Sequence, residues 1–223
     1  VESSRACNFG ESQGSADEHL RAMVKPRLAI NTERVGRSNE SASLELELRN
    51  VKSVMVEVYQ LDLEAYFRKH LSISNIEDLD LDLIAADQEF EYAIEEFDRF
   101  RPYTKQIDLP VEGVGVWAVV VSSKEKRATT LVMRSDLEII VKSSRESAFI
   151  FAEDMLKMKG ASGVDLVMAV HLPDVEDPTM IEVSTGRDGV AQIDFADYDL
   201  HNVRDVRVFA KDKRGVASRS SWV

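Results

Sequence analysis

Apolar and polar residues alternate with a period of two along much of the chain, which is the pattern of half-buried β-strands. In residues 44–48, leucines alternate with glutamates, and valines at 54, 56 and 58 repeat the pattern after a short polar turn. In residues 114–121 both alternating sets are apolar, which predicts a central strand covered on both sides. The first half therefore reads as a β-sheet structure.

One short stretch has a helical period instead. Leu63, Phe67 and Leu71 fall at four-residue spacing and predict an apolar stripe along about three helical turns. Asp62 stands where an N-cap carboxylate would accept backbone N–H groups. We expect a short helix inserted among the strands of the first half.

The middle of the chain contains three strand-like runs with little between them: 127–133, 137–142 and 147–152. Only Arg134-Ser135-Asp136 separates the first two runs. This tripeptide has neither glycine nor proline, so it does not suit a tight hairpin. We interpret it as a short, rigid link between two domains.

The second half repeats short strand-like segments, separated by turn residues such as Asp188-Gly189. Seven such segments in under 90 residues indicate a β-sandwich. The predicted fold class is therefore all-β: two tandem antiparallel β-sandwiches of immunoglobulin-like type, with a short helix inserted in the first. We assign residues 1–25 to a flexible polar tail or linker, 26–135 to the first sandwich and 136–223 to the second.

Composition restricts the classes of partner. The formal net charge of −12 disfavours nucleic acids and anionic lipid surfaces, because both would be repelled. No apolar run approaches the roughly 20 residues of a membrane-spanning helix.

The chain begins at Val1 without a signal-peptide pattern, so we expect a processed protein or a piece of a longer one. The lone cysteine, Cys7, is interpreted as a free thiol in the polar tail.

A row of carboxylates is the one candidate metal site. Asp78, Asp80 and Asp82 would lie along one face of an extended chain, alternating with leucines. Oxygen ligands suit calcium, but the stretch lacks a glycine-bearing loop of calcium-motif spacing. A solvated strand or loop edge is the interpretation that we favour, with calcium binding as the alternative.

Candidate catalytic residues are scarce. The four histidines (His19, His70, His171 and His201) lack metal-ligand spacing, and we expect surface or half-buried side chains. Trp117 is interpreted as a core residue rather than a ligand-stacking one. Neither a phosphate-binding glycine loop nor a nucleophile elbow is present. The sequence predicts a non-enzymatic protein without a cofactor.

Six segments carry a resemblance to a known family. They are Leu46–Val51, Val58–Arg68, Ala128–Asp136, Val141–Arg145, Phe151–Met155 and Thr185–Val190. Together they resemble the N-terminal macroglobulin-type domains of bacterial α2-macroglobulin-like proteins. The resemblance implies tandem seven-stranded sandwiches in a large extracytoplasmic protein of the periplasm, cell envelope or exterior. Members of this family entrap proteases, some of them through a thioester.

The sequence also departs from that family, because it contains no Gly-Cys-Gly-Glu-Gln thioester motif and no recognisable bait segment. We therefore expect a non-catalytic scaffold or interaction segment that contacts neighbouring domains of its parent chain, and proteases only through the full-length protein. The alternative is a stand-alone binding module, such as an adhesin, a glycan-binding domain or a surface-assembly subunit. In that case Trp117, Trp222 or the Asp78–Asp82 row would form the binding site.

Overall fold

The computed structural model describes residues 18, 21, 23–32, 35–73, 84–95 and 97–223. The elements of the first half are β1 (Arg27–Asn31), β2 (Ser43–Arg49), β3 (Ser53–Gln60), α1 (Leu63–His70), β4 (Gln88–Ala93), β5 (Tyr103–Asp108), β6 (Gly115–Ser122) and β7 (Arg127–Arg134). Those of the second half are β8 (Leu137–Ser143), β9 (Ser147–Asp154), β10 (Lys159–Gly160), β11 (Asp165–His171), β12 (Thr179–Ser184), β13 (Val190–Asp194), a 3-10 helix (Phe195–Tyr198), β14 (Asp205–Asp212) and β15 (Gly215–Trp222).

The first sandwich packs a three-stranded sheet, β1-β2-β5, against a four-stranded sheet, β4-β3-β6-β7. Their strand pairings are antiparallel. The alternating leucines of β2 and valines of β3 fill the core between these sheets, as their period predicts. Strand β6 is buried on both faces, which confirms the prediction from its two apolar sets.

The second sandwich has the same two-layer plan. One sheet joins β10, β9 and β13, with β8 also paired to β9, and the other has the order β12-β11-β14-β15. A separate core fills the space between them, and its buried apolar residues come from strands and loops between Leu137 and Ala217. Gly189 takes a φ of +83° in the turn before β13, where Asp188-Gly189 predicts a turn. The predicted all-β fold, two tandem immunoglobulin-like sandwiches with one inserted helix, is confirmed.

Several local predictions need correction. Helix α1 is shorter than the apolar stripe suggests, because Leu71 adopts a left-handed conformation (φ 55°) and ends the helix at His70. Strand β4 lies in the acidic stretch, where no strand was assigned. It pairs with β3, and its Phe90 and Tyr92 side chains are partly buried against the first core. The two-residue strand β10 and the 3-10 helix were also not predicted.

Candidate functional site

The two sandwiches meet at a very short linker. Strand β7 ends at Arg134 and β8 begins at Leu137. Arg134, Ser135 and Asp136 are all buried, whereas links between independently moving domains are usually exposed and flexible. The polar groups of these residues must therefore find partners within the protein.

The Arg134 side chain finds its partners on the first sandwich. Its Nη2 donates to the carbonyl oxygens of Ser38 and Glu40, each at 2.6 Å. Its Nη1 donates to the Val111 carbonyl at 3.0 Å, and its Nε lies 3.4 Å from the Arg37 carbonyl. Hydrogen bonds to a charged donor are stronger than neutral ones, so this guanidinium holds two loops of the sandwich together at the linker.

The turn between β1 and β2 continues this contact along the linker backbone. The Ser135 N–H donates to the Gly36 carbonyl at 3.0 Å, and the Ser38 N–H donates to Asp136 Oδ1 at 2.8 Å. Arg37 Nη1 donates to the Ser135 carbonyl at 2.5 Å. The linker is thus fixed to the first sandwich by backbone and side chain.

The second sandwich holds the opposite side of the linker. The Asp136 N–H donates to the Arg214 carbonyl, and the Met155 N–H donates to the Asp136 carbonyl, both at 2.8 Å. Gly215 (φ +119°) allows the β14–β15 hairpin to approach, because a Cβ there would lie 2.5 Å from Ser135 Oγ. The linker therefore has little freedom to rotate.

Helix α1 forms a second contact between the sandwiches. Asp62 Oδ1 caps its first turn by accepting from the Glu64 and Ala65 N–H groups at 3.0 and 3.3 Å. The buried Phe67 ring then stacks on Phe209 of β14, with 5.4 Å between ring centroids.

This stacking belongs to a small apolar cluster distinct from the two sandwich cores. Its buried members from the first half are Leu63, Phe67 and Val116, and those from the second half are Val167 and Phe209. Fully burying one such side chain stabilises by about 1.5–3 kcal/mol. The cluster therefore gives the two sandwiches a shared apolar interface.

Ion pairs surround this apolar cluster. Arg68 Nη1 lies 2.6 Å from Glu182 of β12, and Lys211 Nζ lies 3.1 Å from Glu64. Glu64 also accepts from Arg68 at 2.9 Å. The hydrogen bonds from Arg68 and then Lys211 hold the pKa of Glu64 below its ordinary value. These charges orient the helix against the second sandwich.

A buried His–Asp pair lies beside the same interface. His171 ends β11 and Asp205 begins β14, with Nδ1 and Oδ1 3.1 Å apart but not in hydrogen-bond geometry. Burial lowers the pKa of His171, although the Asp205 charge opposes this shift. Arg207 Nε lies 3.5 Å from Asp205 Oδ1, and its Nη1 lies 3.4 Å from the carbonyl oxygen of Leu71. The pair thus supports an arginine that reaches the end of α1.

The expectation of a surface or half-buried side chain is wrong for His171, which is buried at the end of β11 opposite Asp205 of β14. His70 and His201 are exposed, and the His70 ring packs 4.3 Å from that of Tyr66. His19 lies outside the described residues, as do Cys7 and the candidate calcium ligands Asp78, Asp80 and Asp82.

The two tryptophans differ. Trp117 is buried in the first core, as interpreted, and Trp222 is 69% exposed at the end of β15. Within the described ranges, no group of three or more His, Cys, Asp or Glu side chains is placed to hold a metal ion. No helix in the part of the chain that the structure describes is long and apolar enough to cross a bilayer.

Comparison with known proteins relates this architecture to two groups. The family model of the AbpF first immunoglobulin-like domain matches residues 54–135, from β3 to the linker. A crystal structure of native α2-macroglobulin from Escherichia coli, spanning domains NIE-MG1, aligns with 88% of this chain and 97% of its own at a TM-score of 0.57 and 15% identity. The fold is that of the N-terminal domains of bacterial α2-macroglobulins.

Longer α2-macroglobulin structures agree. An Escherichia coli structure spanning MG0-NIE-MG1 aligns at a TM-score of 0.59 and 12% identity, over 88% of this chain and 64% of that one. A structure of Salmonella α2-macroglobulin reacted with methylamine aligns at 0.57 and 15% identity, over 87% of this chain. The alignment spans 12% of the Salmonella chain. No curated protein matches the sequence.

Proposed function

We propose that this chain is a non-catalytic scaffold segment of a large bacterial α2-macroglobulin-like protein of the endopeptidase-inhibitor or envelope-defence type. It fixes the angle between two sandwiches so that neighbouring domains of the parent chain assemble on a rigid base. The buried linker supports this most directly, because Arg134 binds the first sandwich and Asp136 binds both, whereas a flexible link would leave these groups solvated.

An apolar surface on the second sandwich supports contact with a neighbouring domain. Ile140 of β8 and Phe149 of β9 are 51% and 40% exposed, and Phe151 pairs with Ile140 on the same face. Exposed apolar residues that adjoin one another on a sheet are typical of protein interfaces. In this proposal only the complete protein contacts proteases. It acts outside the cytoplasm.

The reading frame downstream of Val223 tests the proposal. We expect it to continue into a macroglobulin-like region, whether or not that region carries a Gly-Cys-Gly-Glu-Gln thioester. A stop codon directly after Val223, without a partner chain encoded nearby, would argue strongly against the scaffold role.

A biochemical experiment tests whether this segment alone can trap a protease. Purified chain is mixed with trypsin and followed by denaturing electrophoresis and by cleavage of a protein substrate. We expect neither a covalent adduct nor protection of the substrate. Inhibition at stoichiometric concentration would show that the segment acts on its own and would overturn the scaffold proposal.

A second candidate, a stand-alone binding module, is favoured by one observation. Trp222 is 69% exposed and lines a groove with Arg207, Arg219 and the hydroxyl-bearing Ser218 and Ser220. Tryptophan beside hydroxyl and guanidinium groups suits a sugar ring. Calorimetry with a glycan panel tests this candidate. Saturable binding of a glycan, abolished by Trp222→Ala, would favour the binding module over the scaffold.

A further inference from the structure

The end of the first sandwich opposite the linker carries a positively charged groove. The loops that form it follow β2, β4 and β6, together with the segment preceding β1. It consists of two adjoining pockets that share Asn50, Val51 and Phe97, and the larger has a volume of about 740 Å³.

The charge of this groove is opposite to that of the protein as a whole. Six cationic residues line it: Lys25, Arg49, Lys52, Arg99, Arg101 and Lys124. Two carboxylates, Asp98 and Glu125, are also present. The whole chain has 28 lysines and arginines against 40 acids, so the groove is a local reversal of sign. A concave surface of one sign attracts ligands of the other.

Asn50 organises the groove from within. It adopts a φ of +58°, and its Nδ2 donates to the carbonyl oxygens of Met23 and Val24 at 2.6 and 3.0 Å. Its Oδ1 accepts from the Phe100 N–H at 2.8 Å. One side chain therefore joins the segment before β1 to the β4–β5 loop and shapes the groove before any ligand binds.

Phe100 occupies a strained position at the edge of the groove. Its φ is +69°, a conformation that is unusual for a bulky residue, and its side chain is 49% exposed. Backbone strain of this kind is destabilising and concentrates at functional sites. Here the strained backbone presents an aromatic ring to solvent without any gain in burial.

Apolar residues complete the groove surface. Val24, Pro26 and Val51 line it, and Lys52 Nζ lies 5.6 Å from the centre of the Phe97 ring, within cation–π range. Aromatic side chains and arginines are the residues that most often dominate binding energy at interfaces. The groove can therefore contact both carboxylates and apolar side chains.

We propose that this groove binds an extended acidic segment of another protein, one in which carboxylates alternate with apolar side chains. Successive side chains of an extended peptide point to opposite sides, so the carboxylates can face the cations while the apolar residues contact Phe97 and Phe100. A long polyanion fits less well, because the remaining surface of this acidic protein repels it. This site is independent of the scaffold role and is not assigned by the similarity in fold.

Fluorescence anisotropy with a labelled peptide, Asp-Val-Asp-Val-Asp-Val, which does not occur in this chain, tests the proposal on the full chain. We expect saturable binding that falls by at least about tenfold in the triple variant Lys52→Glu, Arg99→Glu, Lys124→Glu, because charge reversal inside a binding groove is repulsive. The matched control is Lys142→Glu, Lys159→Glu, Lys213→Glu on the second sandwich. It changes the net charge equally at exposed positions outside the groove and should change affinity by less than about threefold.

Phe100→Gly separates binding from folding. Glycine accepts a positive φ, so this variant should keep or raise the melting temperature while peptide affinity falls about fivefold or more through loss of the ring. A peptide with asparagine in place of aspartate should bind at least about tenfold more weakly.

Several results would overturn the proposal. They are equal weakening by the groove and control triples, equal binding of the asparagine peptide, or no binding at about 1 mM peptide. Complete displacement of the peptide by single-stranded DNA or heparin at lower concentration would assign the groove to a polyanion instead.

Discussion

The two ends of the first sandwich use arginine, lysine and phenylalanine in opposite ways. At the linker end, Arg134 is buried and its guanidinium donates to backbone carbonyls, and Phe67 is completely enclosed by both sandwiches. At the far end, Arg99 is exposed and Phe100 faces solvent from a strained backbone. Buried polar groups whose hydrogen bonds are all made give the linker end rigidity. Exposed cations and aromatic rings at the far end remain available to bind a partner.

The largest effect should come from removing the Arg134 side chain. Arg134→Ala leaves several carbonyl oxygens near the linker without their charged donor, and we expect a loss of about 4 kcal/mol in the free energy of unfolding. Urea denaturation followed by circular dichroism measures it. Arg145→Ala, an exposed arginine of the β8–β9 turn, is the control and should cost no more than about 0.5 kcal/mol. Equal costs would show that the linker is not specially supported.

The next largest effect concerns the interface of α1. Phe67→Ala removes a fully buried ring from the cluster shared by the sandwiches, and we expect a loss of about 3 kcal/mol together with looser domain packing. Small-angle X-ray scattering should report a larger maximum dimension for this variant. Phe67→Leu, which keeps an apolar side chain, should restore most of the compactness. An unchanged scattering profile in Phe67→Ala would mean that the linker alone fixes the angle.

A smaller effect of opposite sign is expected at the far end. Phe100→Gly relieves a positive φ and should stabilise the chain by about 1 kcal/mol, measured by thermal denaturation. Phe67→Gly, in contrast, should be more damaging than Phe67→Ala, because glycine disfavours the helix. If Phe100→Gly destabilised the chain, then the ring would have a packing role and the comparison between the two ends would fail.

The smallest effect belongs to the ion pairs around α1. A double-mutant cycle with Arg68→Gln and Glu182→Gln should give a coupling of about 0.5 kcal/mol, because exposed pairs are screened. The lowered pKa of Glu64 adds a pH dependence: its contribution is present above the ordinary glutamate pKa and is lost as the pH falls through the lower folded value. Denaturation at pH 7 measures the coupling energy, and denaturation at successively lower pH measures the loss of the Glu64 contribution. A coupling independent of salt would contradict a solvent-exposed pair.

Much of the fold follows from local patterns. The alternating leucines of β2 and the doubly apolar β6 were correctly predicted, because their periods report directly which faces are covered. The cap at Asp62 was also predictable from its position. Strand β4 was missed, because an edge strand with Phe90 and Tyr92 among acidic residues carries little hydrophobic signal.

The contact between the sandwiches was harder to predict, because its parts are distant in sequence. The stripe through Leu63 and Phe67 indicated that α1 buries one face, but not which surface covers it. A signal did exist in β11, where Val167 and Ala169 make the second face apolar and predict an additional layer over that strand. In β14 the signal is weaker, because Phe209 shares its face with charged residues. The burial of Arg134 and His171 had no local signal, since it depends on loops that converge only in three dimensions.

Rigid coupling of the two sandwiches is the central claim, and a distance distribution between them tests it most directly. Spin labels are placed at exposed Lys105→Cys and Lys142→Cys in a Cys7→Ser background, and electron–electron double resonance gives the distribution. We expect one narrow peak for the otherwise unchanged chain and a broader one after Phe67→Ala. A broad or multiple distribution without Phe67→Ala would show that the sandwiches move independently and would contradict the account.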